Sequence, residues 1–218
     1  MFDYFYHGSI RKLVVAFGSL FDEIYVSRTD DAGVEQKKIK VPISYGPKEK
    51  FYRKIVELDG SMRSIENFLP RIGFEITSMS YDTTRKLNSI NKSYLVRNEL
   101  DSSLISAYSE TPYTIEFSLS IMNRSIDDGY QILEQILPYF TPDFTITMNF
   151  TEINKSIDVP IILTSISSIE DYEGDLETRR TITHTLSFQA KSYIFGPIRK
   201  SGLIREIHLT FQELIGER

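Results

Sequence analysis

The side chains able to do chemistry in this 218-residue chain are few and scattered. The three histidines, His7, His184 and His208, have no HxH, HExxH or i, i+4 partner, so no metal set is expected from them. His184 falls in phase with Ile182 and Leu186, which predicts a hydrogen-bonded core or interface histidine. Glu170, Asp171, Glu173, Asp175 and Glu177 surround Gly174 and run into Arg179 and Arg180. That cluster lacks the ordered ligand spacing of a calcium loop. It also lacks the apolar surroundings that would split two carboxylates into acid and base. The run GPIRKSG, 196–202, matches neither phosphate-loop pattern and reads as a turn between strands. No GxSxG elbow exists, and no cysteine exists to act as nucleophile, staple or soft metal ligand. The expectation is a protein with no catalytic residue, no cofactor and no metal, that is, not an enzyme.

The elements that would position such residues are far better specified. Residues 113–150 read as strand, amphipathic helix, strand. Ile115, Phe117, Leu119 and Ile121 alternate with polar residues, as do Phe144, Ile146, Met148 and Phe150. Between them Ile126, Tyr130, Leu133, Ile136, Leu137 and Phe140 recur at helical spacing after Ser125 as N-cap, with Asp127 and Asp128 in the first turn. Pro138 and Pro142 end that helix.

An earlier helix is predicted from Ser9, with Ile10, Leu13, Val14, Phe17, Leu20, Phe21 and Ile24 on one stripe. A hairpin should follow, from a strand near Tyr25 to Arg28 through the turn at Asp30 to Gly33 into a strand carrying Ile39, Val41, Ile43 and Tyr45. Pro42 places that strand at an edge or bulge. Lys37, Lys38 and Lys40 on it form either a solvated face that resists aggregation or a docking patch for an acidic partner. Short helices are expected over 48–58 and 61–68, and a strand over 74–81. The polar stretch 82–111 is expected to be a long loop or arm. Ile157 to Leu163 should form a strand with Pro160 marking an edge, Ile182 to Phe188 one side of a long hairpin with a charged tip, and Leu203 to Phe211 the last strand.

Hydrophobic and charged fractions of 41% and 25% are ordinary for a globular protein. No apolar run is long enough to span a bilayer, and no signal peptide is expected. A net charge of −5 disfavours nucleic-acid binding as the main task. Irregular mixing of helices and strands predicts an α+β fold, a mixed and largely antiparallel sheet with helices packed on one face, as one domain over 1–218.

Taken in order, MFDYFY (1–6), VPISYGPKEKF (41–51), LPRIGFEI (69–76), IEFSLSIMNR (115–124), DDGYQILEQILPYFTPDF (127–144) and RRTITHTLSF (179–188) resemble the tail sheath stabiliser and completion proteins of contractile-tailed phages. The resemblance implies a tail-terminator fold and a structural function: a hexameric ring that caps the tail sheath and tube, stabilises the sheath and joins the tail to the neck. Implied partners are other copies of the chain, the tail sheath protein, the tail tube or tube terminator protein and neck proteins. DNA only passes through the lumen, and no membrane is involved. The implied place is the head-proximal end of the virion tail, after synthesis in the host cytoplasm. The chain looks shorter at its C-terminus than familiar members. For the ring contact the expected residues are Phe2, Tyr4, Phe5, Tyr6, Lys37, Lys38, Lys40, Asp171, Glu173, Asp175, Arg179 and Arg180. For strand addition by the sheath they are Ile39, Val41, Ile43, Leu203, Ile207 and Phe211. The alternatives are a neck or head-to-tail connector, a tube terminator and, distantly, a phage carbohydrate hydrolase.

Overall fold

The structure is a computed structural model that describes residues 4–29, 35–51, 53, 69–88, 90–96, 103–150, 155–172, 180–202 and 207–208. In chain order the elements are α1 (Ser9–Leu20), β1 (Tyr25–Thr29), β2 (Glu35–Lys40), β3 (Ile43–Tyr45), β4 (Arg71–Tyr81), β5 (Lys92–Val96), β6 (Ser103–Tyr108), β7 (Thr111–Asn123), α2 (Ile126–Ile136), β8 (Asp143–Phe150), β9 (Lys155–Tyr172), β10 (Arg180–Ile194) and β11 (Ile198–Gly202). A six-stranded sheet runs β3-β4-β7-β10-β9-β8, a three-stranded sheet runs β11-β6-β5, and β1 and β2 form a hairpin of their own. Among the described residues only the β3–β4 pair is parallel. The fold is therefore predominantly β, with mixed sheets and helices against them.

The core follows from strand alternation. In the β7–β10 ladder Phe117 opposes Phe188, Leu119 opposes Leu186 and Ile121 opposes His184, so these six side chains share one face. Phe17 of α1 lies fully buried on that face, stacked on Phe117 at 4.3 Å, tilted against Phe74 at 5.4 Å and edge-on to Phe188 at 5.3 Å. Full burial of one such side chain contributes roughly 1.5–3 kcal/mol.

The opposite face of β7 is also covered. Gly73 lies beside Phe74 but points the other way, and a Cβ there would run into the ring of Phe51. Phe51, in the helical residues 48–51, forms a second apolar cluster with Leu69 and Met122. The expectation of helices on a single face thus fails at Phe51, because Gly73 opens space for an aromatic ring on the side that the polar residues of β7 mark as solvent-facing.

Several local expectations shift for physical reasons. The strand expected to run through Tyr45 is divided into β2 and β3 at Val41-Pro42. Val41 is fully buried and donates its N–H to Ile24 O, while Ile72 donates to Pro42 O, so the chain passes there from the hairpin to the large sheet. The buried stripe of α2 is Asp128, Gly129, Ile132 and Ile136, rotated from the predicted one, and Tyr130 is 56% exposed. Gly129 causes the rotation: a Cβ there would lie 2.5 Å from His184 Nε2 and 2.7 Å from Asn123 Nδ2, so the helix backbone itself rests on these side chains.

Residues 82–111 contain β5, β6 and the start of β7, and 198–202, read as a turn, are β11 paired with β6. Pro160 sits where β9 changes partner: β10 pairs with it from Ile161 onward, and β8 pairs with Pro160 itself through Thr145. The helix expected over 48–58 begins as predicted, and its later part, like that over 61–68, lies outside the described residues.

Candidate functional site

Where assembly is the expected work, the site is the set of backbone edges and exposed side chains left after folding. The β1–β2 hairpin pairs Tyr25 with Lys40, Val26 with Ile39 and Ser27 with Lys38. The far edge of β1 is occupied by two side chains of α2. Tyr25 N–H donates to Gln135 Oε1 at 3.2 Å, and Gln135 Nε2 donates to Tyr25 O at 2.6 Å. Gln131 makes the same double contact with Ser27, 2.9 Å each way. The i, i+4 spacing of the glutamines on α2 thus matches the two-residue spacing of outward amides on β1. Each carboxamide also has its second hydrogen satisfied, that of Gln131 on Asp127 Oδ2 and that of Gln135 on Gln131 O. In effect, two side chains imitate a neighbouring strand.

The consequence lies on the other side of the hairpin. Because Tyr25 and Ser27 turn their polar groups toward α2, Val26 must face β2, and antiparallel alternation then points the amides of Lys38 and Lys40 away from β1. Among the described residues no strand pairs with that side of β2. Lys38 Nζ lies 4.8 Å from the centre of the Tyr25 ring, and Lys40 Nζ lies 3.2 Å from Asp22 Oδ2. Both ammonium groups lean on their own chain beside the backbone edge. The hairpin is fixed to α2 a second time by Arg28, whose Nη2 is 3.4 Å from the buried Asp128 carboxylate.

The other residues predicted to serve the site are dispersed. Ile39 is half-buried on β2, and Ile43 is half-buried on β3, a three-residue edge of the large sheet. Val41 is fully buried in the core, with its N–H on Ile24 O. Ile207 is 73% exposed, while Leu203 and Phe211 lie outside the described residues, so the structure does not describe the strand expected there. Tyr4, Phe5 and Tyr6 are exposed, Tyr4 by 95%. Phe5 rests against the His7 ring at 5.6 Å, and His7 Nε2 is 2.9 Å from Gly196 O. Asp171 and Arg180 sit near the end of the β9–β10 hairpin, opposite Thr181 and Tyr172. Phe2, Glu173, Asp175 and Arg179 lie outside the described residues, as does the side chain of Lys37, whose backbone pairs with Arg28.

The titratable groups His184, Asp82 and Arg85 serve packing. His184 is 3% exposed, with Nδ1 2.7 Å from Ser168 Oγ and its ring tilted against Tyr130 at 6.3 Å. Burial holds its imidazole below the ordinary value, opposed by the nearby Glu170 carboxylate. Asp82 is held well below the usual carboxylate range by hydrogen bonds from Thr84 and from Arg85 Nε at 2.7 Å. Arg85 in turn donates to Tyr113 O at 3.2 Å and lies over the Tyr193 ring at 4.9 Å, tying 82–85 to β7 and β10. Among the described residues no histidine and carboxylate cluster suits a metal ion, and no helix is long and apolar enough to cross a membrane. One cleft, about 490 Å³, has walls of Phe21, Ile24, Ile136, Phe140 and Phe144, with Glu23 and Glu134 among the residues lining it.

Sequence reasoning missed Gln131 and Gln135. Their only signal was a pair of amides one helical turn apart after a hairpin, which acquires meaning once α2 is known to lie beside β1.

Two comparisons relate the chain to known proteins. The T4-like virus Myoviridae tail sheath stabiliser family matches residues 4–216. The tail completion protein gp15 of Enterobacteria phage T4 is 34% identical over 221 residues, an alignment that covers 97% of this chain and 79% of that protein.

Proposed function

The chain belongs to the tail sheath stabiliser family of T4-like Myoviridae, and from this we propose that it is a structural tail terminator, completing the contractile tail and holding its sheath through the open edge of β2. It acts by assembly in the virion tail and turns over no substrate. Copies form a ring of six at the head-proximal end, seated on the last sheath and tube layer, with neck proteins above and DNA passing through the lumen. An extended segment of the sheath protein adds a strand to β2, and the layer finds a partner that does not itself propagate. On the Phe117 face α2 serves this arrangement, since it blocks β1 and leaves the hairpin one direction in which to grow.

The observation that carries the strand-addition reading is the pair of glutamine contacts on Tyr25 and Ser27, because they fix which backbone groups of β2 point outward. Proline replacement tests it residue by residue. Lys38→Pro removes an outward donor and leaves the β1 ladder intact, whereas Ile39→Pro removes a donor that faces Val26. Tails assembled with Lys38→Pro should lose sheath retention in negative-stain microscopy while the purified protein melts within a few degrees of wild type. Ile39→Pro should lower the melting temperature itself. Full sheath retention by a folded Lys38→Pro protein would move the sheath contact away from this edge.

A further inference from the structure

We infer that the aromatic segment Tyr4 to Tyr6 of one copy docks in the apolar cleft between the C-terminal ends of α1 and α2 of the next copy, supplying a ring contact. This rests on the reading of the chain as a ring-forming terminator and names the surfaces involved. Three adjacent aromatic side chains in solvent are costly for a molecule that stays alone, since their apolar area remains hydrated. The segment does not lie loose: His7 anchors its root on Gly196 O, so it is presented at a fixed place beside the β10–β11 connection.

The cleft has the matching character. Phe21, Ile24, Phe140 and Phe144 provide its apolar walls, and its volume of about 490 Å³ falls in the range of pockets that enclose bulky groups. Glu23 and Glu134 line it, and two helix ends, the close of α1 at Leu20 and the turn Leu137–Tyr139 after α2, add the partial negative charge of their terminal carbonyls. The donor segment leads into Arg11 and Lys12, exposed in the first turns of α1, so charge as well as surface character is complementary.

Position favours a second copy over the chain's own segment. The aromatic residues precede the start of α1 and the cleft lies at its end, separated by a helix of about 18 Å. Two different surfaces at opposite ends of one element are what a head-to-tail contact needs to close a ring.

The absence of cysteine from the sequence gives a direct test. Tyr4→Cys and Tyr139→Cys are made singly in full-length protein, co-expressed, purified and treated with a short bismaleimide. Tyr139 stands at the cleft and is well exposed, and neither change touches the core. The expected product is a denaturing-gel band at twice the 25.2 kDa chain mass from the mixture, at least tenfold stronger than from either variant alone. The double variant should give a ladder. Cross-linking confined within single chains of the double variant would overturn the proposal in favour of self-occupancy. An oligomeric wild type with no cross-link in the mixture would overturn the contact and leave the ring standing. A wild type of monomer mass in the presence of sheath would overturn both.

Discussion

Replacing Gln131 and Gln135 by alanine strips the false strand from β1, and the cost can be worked from the contacts. Four hydrogen bonds join the two carboxamides to Tyr25 and Ser27. At roughly 0.5–1.5 kcal/mol net each, the pair is worth about 2–6 kcal/mol, and the exposure of Gln135 to competing water favours the lower bound. About 2 kcal/mol corresponds to roughly thirtyfold in an opening equilibrium. Amide hydrogen exchange in the double variant should therefore accelerate some thirtyfold at Tyr25 and Ser27. Val26, whose donor faces β2, should change by less than threefold. The variant also uncovers a second strand edge, so it should self-associate at concentrations where wild type does not. Exchange at Tyr25 and Ser27 within twofold of wild type, or equal loosening at Val26, would refute the capping argument and with it the assignment of Lys38 and Lys40 as outward residues.

Two further outcomes are expected. Gly129→Ala forces a methyl group to within 3 Å of His184 and Asn123, which should cost about 1–3 kcal/mol and lower the melting temperature by about 2–12 °C in a calorimeter; an unchanged melt would mean that α2 does not rest on these side chains. For His184, burial depresses the folded-state pKa, so the imidazole is neutral in the fold, while the unfolded chain takes up a proton near pH 6.5. The stability it contributes is present above that value and is lost as pH falls, with a slope of at most about 1.4 kcal/mol per pH unit. Urea midpoints measured between pH 7.5 and 5.5 should fall for wild type and stay flatter for His184→Gln, and parallel curves would assign the acid sensitivity to other groups.

Much of this protein could be read directly along the chain because its signals are local. Alternation in Ile115 to Ile121 and Phe144 to Phe150 gave β7 and β8, the stripe from Leu13 to Phe21 gave α1, and the punctuation around Asp30 to Gly33 separated β1 from β2. The ordered motifs gave the family, and the want of paired catalytic side chains pointed to assembly. The division at Val41-Pro42 was not legible, because a run of alternating apolar residues cannot say that one of them will be claimed by Ile24 and the next by a different sheet. Nor were β5, β6 and β11, since β5 and β6 pair with each other inside a stretch read as a loop and β11 becomes a strand by pairing with β6 across a long separation in the chain.

The amino-acid order by itself determined α1, the β1–β2 hairpin, β7, α2 and β8, and the apolar sides of α1 and β7, since those properties depend on neighbours two to four residues away. Only the tertiary structure decided which edges remain open. That outcome depends on Gln131 and Gln135 meeting Tyr25 and Ser27 about a hundred residues upstream, and on Gly129 letting α2 sit low enough on His184 for them to reach. Contacts of that kind are set by the packing of whole elements, and no spacing within either segment encodes them.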